Sequence, residues 1–316
     1  LMLAAQDGHA EVAQLLLERG ANIEAKSNEG ATSLILAAQN GHAEVAQLLL
    51  ERGANIEAKD DNGWTSLMLA AQNGHAEVAQ LLLERGANIE AKENTGLTSL
   101  MLAAQNGHAE VAQLLLERGA NIEAKENTTG LTSLMLAALN GHAEVAQLLL
   151  ERGANIEAKE NDGWTSLMLA AQNGHAEVAQ LLLERGANIE AKENTGWTSL
   201  IIAAQNGHAE VAQLLLERGA NIEAKSNEGG TSLLLAAQNG HAEVAQLLLE
   251  RGANIEAKEN TGLTSLMLAA LKGHAEVAQL LLERGANIEA KDDNGWTSLM
   301  LAAQNGHAEV AQLLLR

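Results

Sequence analysis

A chain of 316 residues with no Pro, Cys, Phe or Tyr, and only four Trp, lacks the ring volume that one large core normally uses. Many small helical cores are expected in place of two compact α/β domains, and the absence of Cys excludes disulfides, thiolate zinc sites, iron–sulfur clusters and a Cys nucleophile. A net charge of -21 repels nucleic-acid phosphates and anionic membranes, and no apolar run approaches the roughly 18–20 residues of a membrane span.

In chain order, Leu1-Met2-Leu3 opens inside a helix, with no Thr before it and no initiator Met. The string GHAEVAQLLL then occurs ten times, with its His at 9, 42, 75, 108, 142, 175, 208, 241, 274 and 307. The interval is 33 residues except once, where it is 34: Glu126-Asn127-Thr128-Thr129-Gly130 replaces the shorter Glu93-Asn94-Thr95-Gly96. Residues 1–316 are therefore expected to form one elongated domain of about nine and a half to ten repeats. The first repeat is partial, and no capping repeat is evident at either end.

One unit reads from Gly63 to Asn94. Thr65-Ser66 supplies hydroxyls that cap a helix, and Leu67, Leu69, Ala70 and Ala71 make that helix short and closely packing. Asn73-Gly74 ends it, Gly being the residue that enters the left-handed region at no steric cost. A second helix begins near His75-Ala76-Glu77, with Val78, Leu81 and Leu82 on one face at i, i+3, i+4 spacing. Gly86 stops it, and Ala87 to Lys92 alternates as extended chain before Gly96 turns back to the next Thr. No such unit buries its Leu/Val/Ala face alone; stacked neighbours do.

These residues, T-x-L-x-L-A-A-x-x-G-H-x-E-V-x-x-L-L-L-x-x-G-A-x-I at period 33, resemble the ankyrin repeat over the whole length. The resemblance implies an all-α repeat solenoid of stacked antiparallel helix pairs with projecting β-hairpin loops. It also implies a concave face of hairpins and first helices that binds other proteins, no catalysis, no cofactor, and a cytoplasmic location by family default. Three departures matter. The family's T-P-L-H becomes T-S-L-M from Thr65 to Met68, which gives up the φ preset by Pro. All seven Met fall at the last of those positions, so a polar inter-repeat link is expected to give way to apolar contact. The family's G-A-D-x-N becomes G-A-N-I-E from Gly86 to Glu90, which removes an Asn that is hydroxylated in some ankyrin proteins.

Every acid and His recurs with the repeat, whereas an active site needs one asymmetric cluster. There is no G-x-x-x-x-G-K-[ST], G-x-G-x-x-G or H-E-x-x-H, so an enzyme is not expected. The His row suggests a metal ladder, but neighbouring copies stand one repeat apart, roughly 8–10 Å, too far to share an ion. Each ring is expected to bond loop backbone beside a helix start. Neighbours such as Glu18-Arg19 are expected to be exposed pairs of little energy.

Variation inside the chain is concentrated. The second helix keeps its GHAEVAQLLL string in every copy, and the residue before the repeat Thr changes most. There stand Trp64, Leu97, Leu131, Trp164, Trp197, Leu263 and Trp296, an apolar strip that half-exposed Trp would anchor as an interface. Asp60, Asp61, Glu93, Glu160, Glu193, Asp292 and Asp293, at the loop tips, are expected to flank it as an acidic rim. The competing expectation is that each Trp covers the adjacent loop and stabilises stacking. The functional reading is a scaffold that binds another protein or peptide, a basic one suiting the acidic rim, with no nucleic acid and no membrane. Two alternatives stand beside it: an array that stacks end to end into a longer solenoid or filament, and an engineered consensus scaffold without a natural partner. Both ends, including Val310, Leu313 and Leu314, are expected to expose apolar surface that internal copies bury.

Overall fold

The computed structural model describes every residue from Leu1 to Arg316. Twenty short helices follow one another in pairs, from Met2–Asp7 to Ala308–Leu314. The chain falls into two compact units, Leu1–Asn161 and Asp162–Arg316, and each is an all-α repeat solenoid of antiparallel helix pairs. No helix is long and apolar enough to cross a membrane.

Local chemistry sets the helix ends. In the first unit the helix Ser66–Asn73 starts at Thr65, whose Oγ1 accepts the Met68 N–H at 3.3 Å. The Met68 sulfur in turn receives the Thr65 N–H at 3.4 Å, a link that apolar packing alone does not describe. The methionine thus closes a reciprocal cap in the place that Glu or Gln usually takes. Thr165 and Met168 repeat the pair in the second unit. Gly74 ends the first helix at φ 74°, and the His75 N–H reaches back to the Ala70 carbonyl at 2.8 Å. The next helix, Ala76–Glu84, follows at once.

Packing then joins the pairs. Leu67, Met68, Ala70 and Ala71 of the first helix and Val78, Ala79 and Leu82 of the second are all buried. Leu200, Ile201, Ala203, Ala204, Val211, Ala212 and Leu215 do the same in the second unit. Ala at two successive positions lets consecutive first helices approach closely. Second helices carry Glu and Gln on their outer face and sit further apart.

Polar bonds run between repeats in register. The Glu57 carboxylate accepts the Asn88 N–H at 2.6 Å, and the Lys59 ammonium donates to the Lys92 carbonyl at 3.1 Å. In the second unit Glu190 accepts from Asn221 at 2.7 Å, and Lys192 donates to the Lys225 carbonyl at 3.0 Å. The Glu that departs from the family pattern therefore ties each repeat to the next. The neighbouring Glu18-Arg19 pair is not the ion pair that forms. Glu18 instead meets Arg52 of the following repeat at 3.9 Å, with both side chains well exposed, so its contribution stays near roughly 0–1 kcal/mol.

The loops differ from paired hairpin strands. They are chains of turns closed by two backbone bonds, such as Glu93 N–H to the Leu97 carbonyl at 3.1 Å and Gly96 N–H to the Glu93 carbonyl at 2.9 Å. One β-bridge, Lys258–Thr264, is the whole of the strand pairing. With only three or four residues between bond partners, the loop closes before a ladder can extend.

At the ends Leu3 is 74% exposed, Val12 49%, Met300 50% and Leu315 71%. The expectation for Val310 and Leu314 is corrected: both are buried, because they face their own helix pair and the preceding repeat. The apolar surface at that end belongs to Met300 and Leu315, whose internal counterparts meet a following repeat.

Candidate functional site

The variable position lies at the junction of loop and first helix, directly before the capping Thr. Trp64 is held there by its own loop. Its N–H donates to Asp60 Oδ1 at 2.9 Å, and its carbonyl accepts the Asp60 N–H at 3.1 Å. The indole is half-buried and packs against two successive clusters, one with Ile35 and Leu69, the next with Met68, Ala91 and Leu102. It therefore straddles a repeat junction while leaving part of its surface to solvent.

Leu97 and Leu131 continue the same placement in the first unit. Leu97 packs against Met68 and Leu102 on one side and Met101 and Leu136 on the other; Leu131 packs against the latter pair. In the second unit Trp197 and Leu263 rest on Ile201, Leu234, Leu235 and Leu268. Trp164 and Trp296 are half-buried too, and the Trp296 N–H donates to Asp292 Oδ1 at 2.8 Å. Both roles weighed for the Trp from sequence have a geometric basis: each indole placed in a cluster contributes to stacking, and each keeps an open edge.

The acids divide into two groups. Asp61 and Asp293 are exposed at the loop tips. Asp60, Glu93, Glu193 and Asp292 point their carboxylates inward, onto the N–H groups of their own loops. Glu93 and Glu193 are buried, and each accepts from a Thr hydroxyl two residues on, Thr95 and Thr195. Glu160 is half-buried in the corresponding loop. Four of the seven expected rim acids are therefore loop framework, although their charge remains.

Burial is the largest single influence on the Glu93 carboxyl and opposes its charge. The Thr95 hydroxyl and the N–H groups of Leu97, Thr95 and Gly96 together outweigh burial and hold it below its ordinary range. Glu126, in the loop with the extra Thr, goes further. Burial again opposes ionisation, but the Thr129 hydroxyl and the N–H groups of Thr128, Leu131 and Thr129 lower its pKa from 4.5 to about 2. Its two oxygens accept Thr128 N–H and Thr129 N–H at 2.6 Å each. The inserted residue is absorbed by one carboxylate that binds the loop from inside.

The His row has its own geometry. His75 Nε2 lies 3.0 Å from the Gln39 carbonyl, at the end of the preceding repeat's first helix. Its ring covers Gly41, where an added Cβ would stand 2.5 Å from Nδ1 and the backbone sits at φ 76°. Gly is required there twice over. The ring does bond backbone, but at the end of the previous repeat's first helix and not in a loop.

Each unit is thus a stack of helix pairs whose loops and caps are written once and repeated, with the variable side chains gathered on the loop and first-helix side. That defines a repeat protein of the helix-pair class. The family model described as ankyrin repeats (three copies) matches residues 1–60, 55–126, 100–193, 190–259 and 233–316, and the chain belongs to the ankyrin repeat family. No curated protein matches it. Repeats of this family are generally protein–protein interaction modules, and proteins built from them are typically non-enzymatic scaffolds.

Proposed function

We propose that the chain is a non-catalytic scaffold, a single array over residues 1–316, that holds another protein on its loop and first-helix side. The observation that carries this reading is a coincidence of variation and exposure. Second-helix strings repeat unchanged, while the position before each Thr varies among half-buried Trp and Leu and buried Ala and Gly. Packing needs alone would repeat at that position as they do elsewhere. Trp64, Leu97 and Leu131 in one unit, and Trp164, Trp197, Leu263 and Trp296 in the other, offer apolar edges beside exposed acids. A basic, partly apolar protein segment complements them, and the net charge of -21 speeds its approach more than it tightens the complex. The same charge disfavours nucleic acid and anionic membranes.

The test pairs two measurements on Trp164→Ala and Trp197→Ala. Affinity for a peptide selected from a displayed library on the wild-type chain should fall by about 2 kcal/mol or more if the indole is an anchor. A lower melting point with affinity intact assigns the Trp to stacking and removes it from the binding face.

A second reading has its own observation. Val12 is 49% exposed and Met300 50%, where Val45 and Met68 are wholly buried. The two end faces are copies of the two sides of an internal junction, so one copy's last repeat complements another's first. Such contact is head-to-tail and grows without closing. Light scattering on this chain at rising concentration should show growing mass; a constant monomer mass rejects the reading.

A further inference from the structure

The place where the second unit departs furthest from its own repeat is a recess of about 210 Å³ between Trp197 and Leu263. It exists because one side chain is missing. Gly230 stands where the flanking repeats carry Trp197 and Leu263. The backbone does not ask for glycine there: the positive φ of that turn, 81°, belongs to Gly229, and Gly230 has none. A Cβ at Gly230 would meet Leu235 Cδ2 at 2.7 Å and Ser226 Oγ at 3.2 Å, the first being the movable end of a side chain. Glycine here opens space; it does not serve a turn.

Three further departures border the same space. Leu234 replaces the usual Met on its floor, and Leu271 and Lys272 replace Gln-Asn at its far end. Lys272 is the one basic residue in the last turn of any first helix. At the loop end stand Glu228 and Glu259, the latter held in place by the Leu263 N–H at 2.9 Å. The recess is therefore apolar in the middle, acidic at the loop end and basic at the helix end. Its volume lies below the roughly 300–1,000 Å³ of pockets for drug-sized ligands, which suits one side chain better than a whole small molecule.

We propose that this recess seats a single large apolar side chain of a partner segment, with a basic residue beside it meeting Glu228 and Glu259 and an acidic residue meeting Lys272. The proposal rests on the reading that this side of the array binds protein, and adds where the segment is registered and which chemistry it carries. A first-helix side made only of identical repeats offers equal footholds every repeat, so a bound segment could slide. A unique recess gives it one position.

The probe is a displayed library of octapeptides with random flanks around one central position, selected on the wild-type chain. The selected peptides should share a central Leu, Met, Phe or Trp with a basic residue on one side and an acid on the other. Affinity, read by anisotropy of a labelled selected peptide, should drop at least tenfold in Gly230→Leu and in Gly230→Trp, residues that other repeats already accommodate. Both variants should melt no lower than wild type. Lys272→Asn should weaken binding severalfold for that peptide and leave its Asp→Asn version unchanged. Equal affinity for wild type and both Gly230 variants overturns the recess; if Trp164→Ala then abolishes binding, the face-binding reading survives without it. Failure to select any peptide on wild type overturns the recess as well.

Discussion

Residues 41–83 and 273–315 have the same sequence, letter for letter, and do not have the same structure. In the first stretch Met68 is wholly buried. In the second, Met300 is 50% exposed. Ala71 is wholly buried, whereas Ala303 is exposed; Lys59 reaches the Lys92 carbonyl, a group with no counterpart beyond Lys291. Other features are untouched. Thr65 and Thr297 both accept the N–H three residues on, Val78 and Val310 are both buried, and both Trp N–H groups bond the Asp four residues back. What a repeat makes with itself and with the repeat before it survives at the end. What it makes with the repeat after it does not.

The largest effect should come from the residue that differs most. Met68→Ala removes a side chain packed against Ala91 and Leu102 and should cost about 2–5 kcal/mol, seen as a clear drop in melting temperature. Met300→Ala should cost under about 1 kcal/mol. Replacing Arg316 by a further repeat, residues 84–115, should raise the cost of Met300→Ala toward that of Met68→Ala. If both substitutions cost the same without the extension, burial by the following repeat is not what separates the two regions.

A second prediction uses the loop acid in the slot of Asp60 and Asp292. Glu126 has its pKa lowered from 4.5 to about 2, so the folded state favours its ionised form. The stabilisation is complete above the unfolded value and is lost as pH falls from about 4.5 toward 2. Glu126→Gln should flatten the fall in melting temperature across that window and lower the melting temperature at pH 7. An unchanged acid profile would mean that the carboxylate is not what secures the longer loop.

Links that point backward should not distinguish the two stretches. His75 bonds the Gln39 carbonyl at 3.0 Å and His307 the Leu271 carbonyl at 3.1 Å. Each His→Ala should cost about 0.5–1.5 kcal/mol, and the two costs should agree. A much larger cost at His75 would show that the following repeat also acts through this ring. Smallest of all, Lys59→Met should lower stability by up to about 0.5 kcal/mol and Lys291→Met should leave it unchanged, because an exposed hydrogen bond is the only thing lost.

Much of this was legible in the residues. The helix pairs, their Thr caps and Gly stops, and the period that stacks them follow from local rules applied in repeat after repeat. Other features were hidden because they join atoms one repeat apart. The His ring was expected to bond loop backbone beside a helix start and bonds the end of the previous repeat's first helix. Glu93 and Glu193 were expected on a rim and are buried among their own loop N–H groups, a turn geometry that Glu-x-Thr spacing hints at only afterwards. Gly230 occupies the variable position before a repeat Thr, and nothing in its sequence context says that Leu271 and Lys272, some forty residues on, border the same space.

The sequence by itself determined the repeat: its helices, its caps, the buried faces of each pair and the excess of acid. Those depend on neighbours within a few residues, where the chain's own connectivity holds the partners together. Only the tertiary structure decided which copies of an identical residue are buried and where a missing side chain opens a recess. Each of these depends on whether another repeat lies against the face in question, and a residue's own sequence context carries no record of that.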